Sequence, residues 1–329
     1  MRYLVTILGA ALSCAGLLLA RPAVAADLGI PSDISTHPDG RMAIEELYSG
    51  YLTLLDKGWE LDIVTRSRPE GRSFSLPIIA LRTRRTGDAA WILSGIHGEE
   101  PAGPNAIAIS LDAIAALGDH RAVVLLPLNN PHGYVHNWRY LNRADYSETE
   151  EGQSVGDSSH LLPDPDDPTR PRAPGPSSPE ADAITAYILA QRADYPPVAS
   201  IDLHEDNLIH EGYVYSQGRF GATDPMALLA VRTLQDNGIP LKMGGETRFG
   251  EPIFSGIIGP VTDGSIDELM SADYLVVAGK QVMGPSAATV LVFETPAARA
   301  TLNRRVKAHA TLLERLTLEL SSRNPQTDP

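Results

Sequence analysis

Cysteine is all but missing from this 329-residue chain, and the single one is Cys14. It sits within an apolar run, Tyr3 to Ala20, that follows Arg2 and precedes Ala23-Val24-Ala25. A basic start, an apolar stretch and small residues at a cut site predict a secretory signal peptide over 1–25, and with it export to the periplasm or beyond. Gly16 to Ala20 follow Cys14 where a lipidated cysteine would be followed by polar residues. The rest of the chain has no thiol, which excludes disulfides and leaves His, Asp and Glu to hold any metal. No later run is apolar for long enough to span a bilayer. Basic residues are scarce too: 27 Lys and Arg face 41 Asp and Glu, a net charge of −14. Such a surface disfavours nucleic acid and anionic membranes as partners. No Gly-x-Ser-x-Gly elbow is expected, so nucleophilic catalysis has little support.

What is present reads as strands alternating with helices. Helical spacing runs from Arg41 to Asp56, and strands are expected at Leu61–Thr65 and Ser73–Thr83. Short buried strands are expected around Trp91–Leu93, Ala122–Leu128, Val198–Leu203 and Thr289–Phe293, with another at Gly212–Ser216. Helices are expected from Pro101 through Leu117, over Ala181–Ala193 and Met226–Asn237, and from about Ala297 to Leu320. This alternation predicts an α/β domain over 26–320: three layers, a mixed, mostly parallel sheet with helices on both faces. Residues 147–179 are dense in Pro, Asp, Ser and Gly and read as an irregular insertion, either an ordered loop or a lid. A polar tail follows at 321–329.

Four segments carry chemistry. Gly95-Ile96-His97-Gly98-Glu99-Glu100-Pro101 leaves a buried strand and enters a helix, and its His-x-x-Glu spacing can aim His97 and Glu100 at one ion. Asp202-Leu203-His204 ends a second strand; His204 would complete the three protein ligands of a catalytic metal site, with Asp202 or Asp206 orienting an imidazole. Glu294 closes the apolar run Val290–Phe293, where a carboxylate needs a cation, a proton or a catalytic purpose. Arg139 and Arg143 follow Asn130-Pro131-His132-Gly133, and a guanidinium suits either an oxyanion or a substrate carboxylate.

These motifs, in this order, resemble the zinc carboxypeptidase superfamily. Gly95 to Gly103 is similar to its first zinc motif. Asp202-Leu203-His204 and Phe293-Glu294-Thr295-Pro296 look more like its succinylglutamate desuccinylase and aspartoacylase branch. Gly264-Ser265-Ile266-Asp267 resembles the segment lining the specificity pocket of digestive carboxypeptidases. The resemblance spans about Arg41 to Leu320 and implies a sheet of about eight strands. It implies one zinc ion per chain on His97, Glu100 and His204, Glu294 as general base, and Asn142 with Arg143 holding a terminal carboxylate. Arg139 matches the arginine that polarises the scissile carbonyl, and Ile266 the floor of an apolar pocket. Two departures stand out. Only Tyr140 and Leu141 separate Arg139 from Asn142, and Gly259-Pro260-Val261-Thr262 replaces the stretch where the family carries a substrate-capping tyrosine.

The expected activity is zinc-dependent hydrolysis of an amide bond beside a free carboxylate, in peptides or cell-wall stem peptides. N-acyl amino acid deacylation is the alternative within the same chemistry. A non-catalytic binding module on the same fold is the alternative outside it.

Overall fold

The computed structural model describes residues 28–31, 34–68, 74–141 and 155–322. The predicted signal peptide, Asn142, Arg143, residues 147–154 of the insertion and residues 323–329 lie outside the described residues.

The elements run α1 (Ile44–Tyr51), β1 (Glu60–Ser67), β2 (Leu76–Arg82), β3 (Ala89–Ser94), α2 (Ala102–Ile109), α3 (Leu111–His120), β4 (Ala122–Leu126) and α4 (Pro131–His136). Then come α5 (Pro179–Gln191), β5 (Pro197–Asp206), β6 (Tyr213–Ser216), α6 (Pro225–Asp236), β7 (Gly244–Glu246), β8 (Pro252–Phe254) and β9 (Ile257–Ile258). The last are α7 (Ile266–Ser271), β10 (Tyr274–Val277), β11 (Lys280–Met283), β12 (Thr289–Pro296) and α8 (Leu302–Ser322). Ten strands form one mixed sheet in the order β1-β2-β4-β3-β5-β12-β6-β9-β8-β7. Its centre, β4-β3-β5-β12, is parallel, and antiparallel pairs flank it on both sides.

The expected count of about eight strands is corrected to ten. Seven of the ten are located individually in the sequence; the other three, β7, β8 and β9, are two or three residues long and show no periodicity from which a strand could be read. The single helix expected from Pro101 to Leu117 is two, because Ser110 leaves helical geometry at φ −108°, ψ 14°. Helix α4 and the β10–β11 hairpin have no counterpart among the expected elements.

Side-chain alternation along the central strands builds the layers. Ala90, Ile92, Val123, Leu125, Leu291 and Phe293 face one core, shared with α1, α3, α6 and α8. Trp91, Leu93, Val124, Leu126 and Val290 face the other, shared with α5 and α7. On β5, Ile201 and Leu203 belong to the first core, so Asp202 and His204 project on the α7 side.

Residues 155–178 form no helix or named strand, but they are packed. Leu161 and Leu162 are buried in the second core. Val276 N donates to Leu161 O at 2.7 Å, and Ser158 N to Gly264 O at 2.7 Å. Arg172 grips Glu268 of α7 with two parallel bonds of 2.7 and 2.5 Å. This forked pair joins the insertion to the helix beside the cleft. Arg172→Gln should weaken that attachment by about 1–3 kcal/mol. Limited proteolysis would then cut faster within 155–178, while hydrogen exchange in the central strands stays as in the parent protein.

Candidate metal centre and catalytic cleft

Three strand ends meet at the carboxyl edge of the parallel centre, where open α/β sheets place their ligands. Strand β3 delivers the loop with His97 and Glu100, β5 delivers His204, and β12 delivers Glu294. His204 and Glu294 are register partners across the parallel β5–β12 pair, so both project on the same face.

The β3 loop is shaped by close backbone approach. A Cβ on Gly98 would lie 2.1 Å from the carbonyl carbon of Gly133, and one on Gly133 would lie 2.3 Å from Trp138 O. Only glycine fits at either position. Gly98 N donates to Arg139 O at 3.2 Å. Buried Arg41 donates to Gly98 O at 3.0 Å, to Tyr134 O and to Asn137 Oδ1 at 2.6 Å. Asn130 accepts from Gly133 N at 2.9 Å as the N-cap of α4, and its amide donates to Arg139 O at 3.1 Å. The Asn-Pro-x-Gly motif is therefore a helix start that holds the His97–Glu100 loop and the Arg139 segment together.

His97 Nδ1 lies 2.9 Å from Glu100 Oε1 and 3.2 Å from His204 Nδ1; His204 Nδ1 lies 3.1 Å from Glu100 Oε2. Donors around a tetrahedral ion at about 2.0–2.1 Å sit roughly 3.3 Å apart. Two imidazole nitrogens facing each other beside a carboxylate make a donor set that a metal cation fits. Burial and the Arg139 charge lower the pKa of His97, which keeps it in the neutral, ligating form. Burial opposes the charge of Glu100, but His97 and His204 more than offset this and hold its carboxyl well below the usual range.

His204 Nε2 lies 3.2 Å from Asp202 Oδ2, and a proton on Nε2 facing that carboxylate would leave the Nδ1 lone pair for a metal. Burial lowers the pKa of His204, whereas Asp202 and Glu100 raise it, and the net direction is well upward. Asp267 stands within 4.8 Å of the same imidazole and Asp202. Burial, then the charge of Asp202, pushes its carboxyl well up.

Glu294 is buried, and its Oε2 has no hydrogen-bond partner among the described residues. Burial raises its pKa well above the carboxylate range; His204 pulls the other way, and Glu100 adds to the rise. Arg139 Nη1 donates to Glu99 Oε1 at 2.9 Å and to Glu100 Oε1 at 2.8 Å, so this guanidinium is anchored on a candidate ligand. Ile266 opens α7, is 3% exposed and lines the cleft together with His97, Arg139 and Glu294. The structure thus brings His97, Glu100, His204, Glu294, Arg139 and Ile266 to one cleft. Asn142 and Arg143 lie outside the described residues.

Three contributors escaped the sequence reading. Glu205 projects opposite to His204, where its Oε2 accepts from Ala102 N at 2.7 Å and its Oε1 lies 2.7 Å from Arg305 of α8. Burial raises its pKa, Arg305 lowers it, and the result is about 7. Tyr213 pairs in register with Glu294 and donates to Asp206 Oδ2 at 2.6 Å. Arg41 is the third, and only its place just before the first helix could have singled it out. A Gly-Gln-Ser-Val-Gly run does occur at 152–156, but a nucleophile elbow leads into a helix and residues 155–178 contain none.

No family model and no curated protein matches the chain. Solved structures do. A provisionally assigned metallopeptidase from Shewanella amazonensis superposes with a TM-score of 0.64 at 20% identity, over 83% of this chain and 92% of that one. Another from Shewanella baltica gives 0.62 at 22%, with the same coverage of each chain. Carboxypeptidase A from Helicoverpa armigera gives 0.52 at 15%, over 92% of this chain and 79% of its own. The fold is that of the zinc carboxypeptidases, as the sequence motifs implied.

Two outcomes follow from this geometry. Asp202→Asn should lower metal affinity about 10–100-fold, measured by competition with a chromogenic chelator. Glu294→Gln should raise the thermal stability of the metal-free protein at neutral pH, where the buried carboxylate is otherwise held against its charged form. The folded-state pKa of Glu294 lies above its unfolded value, so the cost of its charge begins as pH rises through the unfolded pKa. The gain should therefore vanish near pH 4 and below, which unfolding curves across pH will test.

Proposed function

We propose that this chain is an exported zinc-dependent hydrolase of the carboxypeptidase type, cleaving the amide bond next to a free carboxylate in peptides, cell-wall stem peptides included. The observation that carries this reading is the convergence of His97, Glu100 and His204 with Glu294 as the strand-register partner of His204.

In this reading His97, Glu100 and His204 hold one zinc ion. When bound there, the ion supplies Lewis-acid polarisation of a carbonyl and acidifies a water molecule. The chain supplies the rest. Glu294 takes the proton of the attacking water on its unpartnered Oε2 and returns it to the leaving amine. Its buried setting raises its proton affinity above that of an ordinary carboxylate, in the direction a general base requires. Arg139, fixed by Glu99 and Glu100, puts a preorganised positive charge where oxyanion charge develops. Asn142 and Arg143 take the substrate carboxylate, and Ile266 gives the side-chain pocket an apolar wall.

The test is hydrolysis of C-terminal peptide substrates and of N-acyl amino acids, with chelator and after zinc is returned. Peptide turnover that chelator abolishes and zinc restores is the expected result. Glu294→Gln should lower kcat about 10²–10⁴-fold while keeping one zinc per chain by elemental analysis. Turnover indifferent to chelator would sink the proposal. Cleavage of N-acyl amino acids alone would move the protein to the deacylase reading.

A further inference from the structure

Asp267 is a buried acid that the hydrolase chemistry leaves without a task. It stands on α7 at 4% exposure, beside Asp202 and His204 of β5, at 1% and 6%. One donor atom from each of the three lies within 4.8 Å of the other two. Each residue also carries a buried polar atom with no hydrogen-bond partner among the described residues: Asp267 Oδ1, Asp202 Oδ1 and His204 Nε2. His204 Nε2 is 3.2 Å from Asp202 Oδ2, yet the two are not aligned as a hydrogen bond.

Charge points the same way. Arg139 is committed to Glu99 and Glu100, and neither Asp202 nor Asp267 pairs with a Lys or Arg among the described residues. Two carboxylates so far from water need a cation or a proton between them. Carboxylate oxygens and an imidazole nitrogen are a donor set for zinc and similar divalent ions. All three residues line the cleft, which gives an ion its way in. His97 and Glu100 approach the same imidazole at its other nitrogen, Nδ1.

We propose that Asp202, Asp267 and His204 Nε2 form a second cation site, joined to the first through the His204 ring. An imidazole that bridges two ions has no N–H proton left. The second ion takes the place of the Nε2 proton, which leaves to solvent. Such an ion ties α7 to β5, and the Arg172–Glu268 pair carries that tie on to the insertion. The site goes beyond the hydrolase reading and is independent of which bond the cleft cuts.

Zinc bound per chain, measured by equilibrium dialysis and elemental analysis, tests it on the parent protein, Asp267→Asn and His97→Ala. The parent should hold two ions and each variant one. Asn is nearly the shape of Asp and removes a buried charge, so the first variant keeps the fold. One ion in the parent and in Asp267→Asn, with none in His97→Ala, would overturn the inference and leave the hydrolase reading standing; Asp267 then holds a proton instead. One ion in the parent and in His97→Ala, with none in Asp267→Asn, would support the second site and sink the first. Two ions in both the parent and Asp267→Asn would put the extra zinc elsewhere and overturn the inference. Hydrogen exchange on the parent needs no variant. Free zinc at about ten times the Kd of the second ion should slow exchange in α7 by about tenfold. Exchange there that ignores the second ion also counts against the site.

Discussion

The arrangement depends on one pairing, the parallel register of β5 and β12. It sets His204 directly beside Glu294 and places both on the face that carries α7. A shift of one residue would turn every side chain of β12 to the other face, sending Glu294 into the apolar core and Phe293 into the cleft. The same alternation divides labour along β5. Asp202 and His204 face the candidate metal, while Glu205 faces the helical layer and fastens α2 and α8 beneath it. The site is therefore a property of the sheet's pleat as much as of the residues chosen.

Buried charge is the second constraint. Glu100, Asp202, Glu205, Asp267 and Glu294 are all at least nine-tenths buried, close to a guanidinium and two imidazoles. Carboxylates so removed from water are costly unless a cation or hydrogen bonds compensate them. Glu205 has Arg305 and a helix start; Glu100 has Arg139, the amide of Glu205 and both imidazoles. Glu294 Oε2 and Asp267 Oδ1 have no hydrogen-bond partner among the described residues, and burial pushes both carboxyls well up. Fold likeness to metallopeptidases at 22% identity or less supports the architecture; the chemistry rests on these charges.

Much of this could be read from the sequence because the key residues end apolar runs. His97, His204 and Glu294 each follow a strand whose burial is written in Val, Ile, Leu and Phe. The unread parts depend on distance along the chain. Glu205 looks like one more solvated acid beside His204 until Arg305, a hundred residues later, is packed against it. Arg139 was legible as a candidate, but its anchoring by Glu99 and Glu100, some forty residues earlier, was not. Strands β7 to β9 are too short to carry a period.

Strand β12 also has an awkward position for a chain made from one end. It lies in the interior of the sheet, between β5 and β6, yet it follows every other strand in sequence. Until it is inserted, β5 and β6 present open edges to each other and the candidate ligands have no base beside them. The pairing that sets His204 beside Glu294 is therefore the last strand pairing to become available as the chain is made from its N-terminus.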